Sequence, residues 1–256
     1  MKDPSEYVPK VETRERRLVD LFNFTDEEDV EEFGFDIPPI QRDYTWGFGS
    51  ETDAGVNDSA WRLLKDLIDF HEGDPEGEET YFLGTVILFK MGDSPRLQIM
   101  DGQQRMTSLV ALMSMIRHTL QFYGKDMELQ DMGGGSQTAT SWAEEVRVDF
   151  LEYKEMASIS PKVEADGITL DQLLCLSGWM DPLDEEEGNA YLSPSGSVTN
   201  SRINGWLGYN LHGSYLYLAS IGYWLMIEEW IDTDNDGEIS RSELEELVRF
   251  YDTLRY

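Results

Sequence analysis

Ile99-Met100-Asp101-Gly102-Gln103-Gln104-Arg105-Met106-Thr107-Ser108-Leu109 is the stretch that decides how this chain folds. Upstream of it, Tyr81 to Lys90 is rich in β-branched and aromatic residues, and Met91 to Pro95 carries turn residues. Arg96 to Met100 then reads as the return strand. Downstream, Leu109, Leu112, Met113 and Ile116 recur at helical spacing, which predicts a helix from Thr107 to about Phe122. The unit is strand, tight polar loop, helix. A helix start presents free N–H groups and partial positive charge, so it suits an anion. Gly102 lets the backbone approach a ligand closely. Arg105 can fork onto phosphate, and Asp101 can hold a divalent ion or fix Arg105. Gln103 and Gln104 offer donors and acceptors to a nucleotide or an attacking water, and Thr107 can cap the helix. The plainer reading is that Asp101 and Arg105 pair to brace a turn. Physics alone leaves both readings open, because the chain has no GxxxxGK[ST] or GxGxxG loop.

Working outward, residues 12–33 have a helical pattern with Leu18, Leu21 and Phe22 in a stripe. Pro38-Pro39 forbids helix over Phe35 to Ile40 and forces an extended entry. A glycine-bearing loop follows (Gly47, Gly49, Gly55), and then a helix from about Asp58 to Phe70 with Trp61, Leu64, Leu67 and Ile68 on one face. Residues 124–141, centred on Gly133-Gly134-Gly135-Ser136, read as a mobile insert. Trp142 to Phe150 is ambiguous between helix and strand. Asp181 to Ser197 reads as an acidic loop, and two helices, near 201–230 and 241–255, close the chain. This gives three regions: 12–122 around the polar loop, a variable 123–200, and a helical 201–256.

The chain has 256 residues, 51 acidic against 20 basic, for a net charge of −31; 40% of its residues are hydrophobic. It is too apolar to be wholly disordered and long enough to bury a real core. So negative a surface repels phosphate backbones and anionic membranes in ordinary salt. It suits concentrated salt, where the Debye length shrinks to about 3 Å, and the expectation is a salt-loving cytoplasm. Cys175, alone in an apolar run, allows no internal disulfide and reads as a small buried hydrophobe in a reducing compartment. The start of the chain has no signal pattern, and no stretch approaches the roughly 18 apolar residues that span a bilayer. The cluster Arg14, Arg16, Arg17 reads as paired with local acids such as Glu12 and Glu15.

Three motifs carry a resemblance. Ile37-Pro38-Pro39-Ile40-Gln41-Arg42-Asp43-Tyr44-Thr45-Trp46 resembles an IPxxQRxYxW signature. Tyr81-Phe82-Leu83-Gly84-Thr85-Val86 resembles a YxLGxIV strand, and Ile99 to Leu109 resembles an IDGQQRxTTL segment. In this order they are similar to the family of domain of unknown function 262, found at the N-terminus of GmrSD-type modification-dependent restriction enzymes. The resemblance covers residues 15–120 well and the later helices loosely. It implies an α+β chain, with a ParB/sulfiredoxin-like domain holding a small mixed sheet, followed by a mainly helical region. It also implies binding and hydrolysis of a nucleoside triphosphate with Mg2+, in the service of a DNA nuclease. By position, Asp101 and Arg105 take the catalytic roles. Gln41, Arg42, Gly102, Gln103, Gln104 and Thr107 line the nucleotide, with Arg42 and Arg105 on phosphates and Asp101 on the metal or the water. The implied partner is modified DNA, reached through a nuclease domain or subunit outside this chain, and a homo-oligomer is compatible with all of this. The departure is that His71, His118 and His212 form no HNH arrangement, so DNA cleavage is not written in these residues. Tyr44 and Trp46 divide evenly between base stacking and core, while Trp61 reads first as core.

A second motif lies near the end. Asp232-Thr233-Asp234-Asn235-Asp236-Gly237-Glu238-Ile239-Ser240-Arg241-Ser242-Glu243 fits the EF-hand loop at each diagnostic position. Asp232, Asp234 and Asp236 supply carboxylates, Glu238 its backbone carbonyl, Ser240 a direct or water-mediated contact, and Glu243 the bidentate ligand, which predicts Ca2+. The plainer reading is an acidic turn between helices, capped at Ser240 or Ser242. Three functions follow: a nucleotide-hydrolysing sensor in DNA defence, a non-catalytic ParB-like nucleotide- or DNA-binding adaptor, or a calcium-binding interaction protein.

Overall fold

The computed structural model describes residues 12–23, 34–38, 40–42, 44–46, 58–74, 79–92, 94, 96–153, 156–157, 159–160 and 211–255. In chain order its elements are α1 (Leu18–Asn23), β1 (Phe35–Asp36), α2 (Ser59–Gly73), β2 (Ile87–Lys90), β3 (Leu97–Asp101) and α3 (Gln103–Thr119). Then come β4 (Glu128–Gln130), β5 (Ser136–Thr138), α4 (Ala139–Val146), β6 (Glu152–Tyr153), β7 (Met156–Ala157), β8 (Ile159–Ser160), α5 (Leu211–Ile231) and α6 (Arg241–Arg255). This is the α+β architecture the sequence predicts. Cys175 and the acidic loop of 181–197 lie outside the described residues, as do 24–33 and 201–210.

The sheet is small and mixed, in the order β2-β3-β1-β8. Strand β3 runs antiparallel to β2 and parallel to β1, and β1 runs parallel to β8. One face is apolar: Phe35, Ile99 and Ile159 are completely buried against the helices. The opposite face carries Asp36, whose carboxylate accepts from Arg96 Nε at 2.6 Å and from Gln98 Nε2 at 3.2 Å. That alternation is what places β3 correctly, because a one-residue slip would exchange its faces.

Against the apolar face lies α3. The expected single stripe is too modest a description, since Val110, Ala111, Ser114 and Met115 are buried along with Leu109, Leu112, Met113 and Ile116. A helix covered on all sides is a central helix, and α4 and α5 complete its casing, with Tyr223, Trp224 and Ile227 of α5 fully in the core. Burying each such aromatic or aliphatic side chain stabilises the fold by about 1.5–3 kcal/mol.

Several boundaries differ from the sequence expectation. Only Ile87–Lys90 of the Tyr81–Lys90 segment pairs as a strand. Residues 124–141 are an ordered hairpin rather than a mobile insert: β4 pairs with β5, and Gly135 N–H and Gly134 N–H close the turn on Asp131. The hairpin docks on α6, where Glu245 accepts from Gln130 N–H and Asp252 from Met132 N–H. Trp142 to Phe150 resolves as helix, α4 followed by a π-helical turn over Arg147–Leu151. His71 on α2 ties that helix to α6, its Nδ1 lying 2.8 Å from Thr253 Oγ1 and its Nε2 3.0 Å from Glu246 Oε1. Arg14 pairs with Glu12 at 2.8 Å, as expected, and Arg17 with Asp20 at 2.6 Å. Among the described residues no helix is long and apolar enough to cross a membrane.

Candidate functional site

Strand β3 becomes helix α3 through one residue. Gly102 sits at φ 87°, in the left-handed region, and serves as the helix N-cap. A Cβ there would lie 3.1 Å from Val86 Cγ2 and 3.4 Å from the Thr85 carbonyl oxygen. The position therefore demands glycine for its backbone angle and for the neighbouring strand together. The helix starts at Gln103, and its first backbone bond runs from Met106 N–H to Gly102 O at 3.0 Å. Thr107 is consequently not the cap that its position predicts. The abrupt glycine turn begins the helix four residues earlier, and Thr107 is buried in the next turn. No N-cap side chain bonds the start of α3, and the positive end of a helix dipole favours an anion.

Immediately before the turn the β2–β3 register slips: Ile87 pairs with Asp101 and Leu88 with Ile99, which leaves Met100 as the extra residue of a bulge. The Met100 carbonyl accepts from Gln41 Nε2 at 2.6 Å. This is the first of four bonds that fix the 40–46 arm to the loop. Gln103 Nε2 donates to the Arg42 carbonyl at 2.6 Å, and Gln104 Oε1 accepts from Thr45 N–H at 2.8 Å. The Tyr44 hydroxyl lies 2.7 Å from Ser108 Oγ, both groups buried. Burial pushes the Tyr44 phenol well above its ordinary range, which the Ser108 bond offsets only in part. The sequence assigns Gln103 and Gln104 to a nucleotide or a water; in the structure both side chains grip the arm's main chain. Tyr44 belongs to the core, Trp46 packs against it, and Trp61 is half-buried rather than central.

Three charged groups surround the turn. Asp101 is exposed at the end of β3, and Arg42 is exposed on the arm. Arg105 is half-buried, with Nη1 donating to the Thr85 carbonyl at 3.3 Å. Its guanidinium lies flat against Gly84, where an added Cβ would come within 2.8 Å of Nη1. Among the described residues no Asp101–Arg105 ion pair forms. The simple turn brace is therefore absent; Asp101 and Arg105 flank the turn in sequence, and the Arg42 main chain is held beside it by Gln103. The glycine of the 81–86 segment, which carries no obvious chemistry in sequence, is what admits the Arg105 side chain.

The acidic loop between α5 and α6 is built differently. Asp232, Asp234 and Asp236 bring carboxylate oxygens within 4.8 Å of one another. Asn235 and Gly237 take positive φ, 56° and 80°. Amides of the loop itself satisfy these acids: Gly237 N–H donates to Asp232 at 3.1 Å, and Glu238 N–H to Asp236 at 2.7 Å. Glu243 is buried and accepts from Thr233 N–H at 2.9 Å and Ser240 N–H at 2.8 Å. Burial raises its carboxyl, but the bonds from Ser240 and Thr233 outweigh that and hold it below the usual carboxylate range. Glu243 thus caps the start of α6 from within, its carboxylate accepting from both the Ser240 N–H and, at 2.7 Å, the Ser240 hydroxyl. The capped turn and the cation loop predicted from the sequence occupy the same residues. Glu238 and Ser240 are exposed beside the three aspartates.

The model of the GmrSD restriction endonuclease N-terminal domain matches residues 18–191, more than half of the chain. The match takes in the arm, the β2–β3 hairpin, the glycine turn and α3, and it ends before α5, α6 and the acidic loop. No curated protein matches the chain.

Proposed function

The chain belongs to the GmrSD restriction endonuclease N-terminal domain family, and from that premise we propose that the turn at 101–105 binds and hydrolyses a nucleoside triphosphate to drive a modification-dependent DNA restriction system. Membership makes the protein restriction-endonuclease-related. The nucleotide role rests on one observation: the helix start after Gly102 carries no side-chain cap and is flanked by Asp101, by Arg105 and, through the Gln103 bond, by the arm that bears Arg42. The expected ParB-like fold is consistent with this strand-to-helix turn.

The residues suit the group. First-turn amides of α3 and the Arg105 guanidinium would hold phosphate oxygens, and Arg42 would close from the arm. Asp101 would hold Mg2+, which supplies charge neutralisation at the phosphates. Gln103 and Gln104 act through the arm, keeping Arg42 at the turn. DNA, in modified form, would be engaged by a nuclease domain or subunit outside this chain, since the −31 charge opposes contact with phosphate backbones. The test is phosphate release from a panel of nucleoside triphosphates with magnesium in molar potassium chloride, for wild type and Arg105→Ala. Turnover lost in the variant supports the proposal. Nucleotide binding without turnover selects the non-catalytic adaptor, and neither binding nor turnover refutes both.

The loop at 232–243 supports a second, separate reading, Ca2+ binding, because three aspartate carboxylates gather beside a buried Glu243 in the complete EF-hand order. Terbium luminescence titrated with calcium tests it; a signal unchanged in Asp232→Asn with Glu243→Gln rules it out. The acidic surface is proposed to suit concentrated salt, and full stability after dialysis into dilute buffer would sink that idea.

A further inference from the structure

We propose that β2 is a self-association edge, along which two copies pair strand to strand about a twofold axis. Strand β2 ends the sheet: β3 lies on one side and, among the described residues, no strand lies on the other. An outer strand presents unpaired backbone groups, and proteins that stay monomeric usually guard it with charge, proline or a covering segment. Here, among the described residues, no strand covers it, and its guards are its shortness, the bulge at Ile87/Leu88 and Lys90. Ile87 is 55% exposed, Phe89 54% and Met91 61%, with Phe82 at 79% just upstream. Met100, the bulged residue of neighbouring β3, is also exposed, at 37%. So many large apolar groups on one hairpin exceed the scattered exposure of a soluble surface.

Charge names the occupant. The protein has 51 acidic residues in 256, yet Thr80 to Gly92 contains none, and Lys90 is its one charged residue. A nucleic acid would need several cations where this strip offers a single lysine. A second copy needs a surface on which two −31 molecules meet without setting carboxylate against carboxylate, and this strip provides it. A twofold contact is isologous, so the strip need only complement itself. Edge pairing supplies main-chain hydrogen bonds, and alternate side chains supply apolar contact. The four residues of β2 are too few for a standard interface of about 1,200–2,000 Å². Phe82 and Met91 therefore belong to it, and the association is concentration-dependent. The result is one continuous eight-stranded sheet in the order β8-β1-β3-β2-β2-β3-β1-β8, from two four-stranded halves. The proposal stands whether or not the turn at 101–105 hydrolyses nucleotide.

The experiment is sedimentation equilibrium of the intact chain in molar potassium chloride, from low to high micromolar protein, for wild type, Ile87→Asp and Phe89→Asp. Wild type is expected to shift from monomer to dimer, and both variants to stay monomeric with unchanged thermal melting. Amide hydrogen exchange on wild type provides the second measurement, with protection of residues 87–90 rising as the dimer fills. A wild type that remains monomeric overturns the proposal. So does a dimer that forms equally in both variants, or one that leaves the 87–90 amides unprotected. Should a variant unfold, the exchange measurement on wild type decides alone.

Discussion

Two turns in this molecule look alike and are built on opposite principles. Each places a positive-φ glycine ahead of a helix, Gly102 before α3 and Gly237 before α6. The turn at 101–105 is held from far away: its bonds to Gln41, Arg42, Tyr44 and Thr45 bridge about sixty residues of chain. The turn at 232–243 is held by itself, through bonds spanning two to ten residues. A self-closed turn forms wherever its own residues stand. A turn closed from a distance forms only after the rest of the domain has folded, and it can therefore present its charged groups in a fixed relation to another segment. That is the property a binding site needs.

The glycines offer the sharpest way to break the comparison. Gly102→Ala forces a left-handed alanine, a strain of about 1–3 kcal/mol, and also presses a Cβ to 3.1 Å from Val86 and 3.4 Å from the Thr85 oxygen. Gly237→Ala meets the same backbone cost with nothing within 4 Å of the new Cβ. Urea melts are expected to show Gly102→Ala losing more stability. Equal losses would mean that the strand does not confine the upper turn.

A smaller effect comes from the bonds themselves. Gln104→Ala strands the partly buried Thr45 N–H, an expected loss of about 1–3 kcal/mol. Ser240→Ala removes the hydroxyl's bond to the Glu243 carboxylate while the Ser240 N–H bond stays, an expected loss of about 0.5–1.5 kcal/mol. Gln104→Ala should also raise KM for any nucleotide while Ser240→Ala leaves it unchanged, since only the first loosens the arm that carries Arg42.

The smallest effects are read by pH, from two carboxyls of α6 with opposite signs. Glu243 is held low, so its contribution is complete above the unfolded value of 4.5 and is lost as pH falls through the lower folded value. Asp252 is raised to about 6, chiefly by burial and further by Asp131 and Glu145, although the Met132 N–H and Arg255 pull it down. Its contribution is complete below the unfolded value of 3.8 and is lost as pH rises through about 6. Thermal melts across pH should show Glu243→Gln flattening the acid-side loss and Asp252→Asn flattening the loss between about pH 4 and 6. Parallel curves for both variants would mean that these shifts do not govern docking of the helix.

What could be read in advance follows the same division. The β2–β3 hairpin, helix α3 and the whole 232–243 pattern are local, and their spacing announced them. The work of Gln103 and Gln104 was hidden because their partners, Arg42 and Thr45, are distant in sequence and are used through main-chain atoms that no side-chain pattern reports. The glycine-rich 133–135 looked loose, yet Asp131 and the face of α6 order it, and both contacts are invisible to composition. Thr107 looked like a cap because capping residues favour helix starts; a left-handed glycine moved the start.

One consequence follows from how the arm is gripped. Gln103 and Gln104 hold it by a carbonyl and an amide, leaving the side chain of Arg42 out of the grip. The arm is thus a cassette in a fixed holder. The tool it carries at position 42 can be exchanged without reseating the holder, so the chemistry offered to a ligand can be re-engineered there while the scaffold stays as it is.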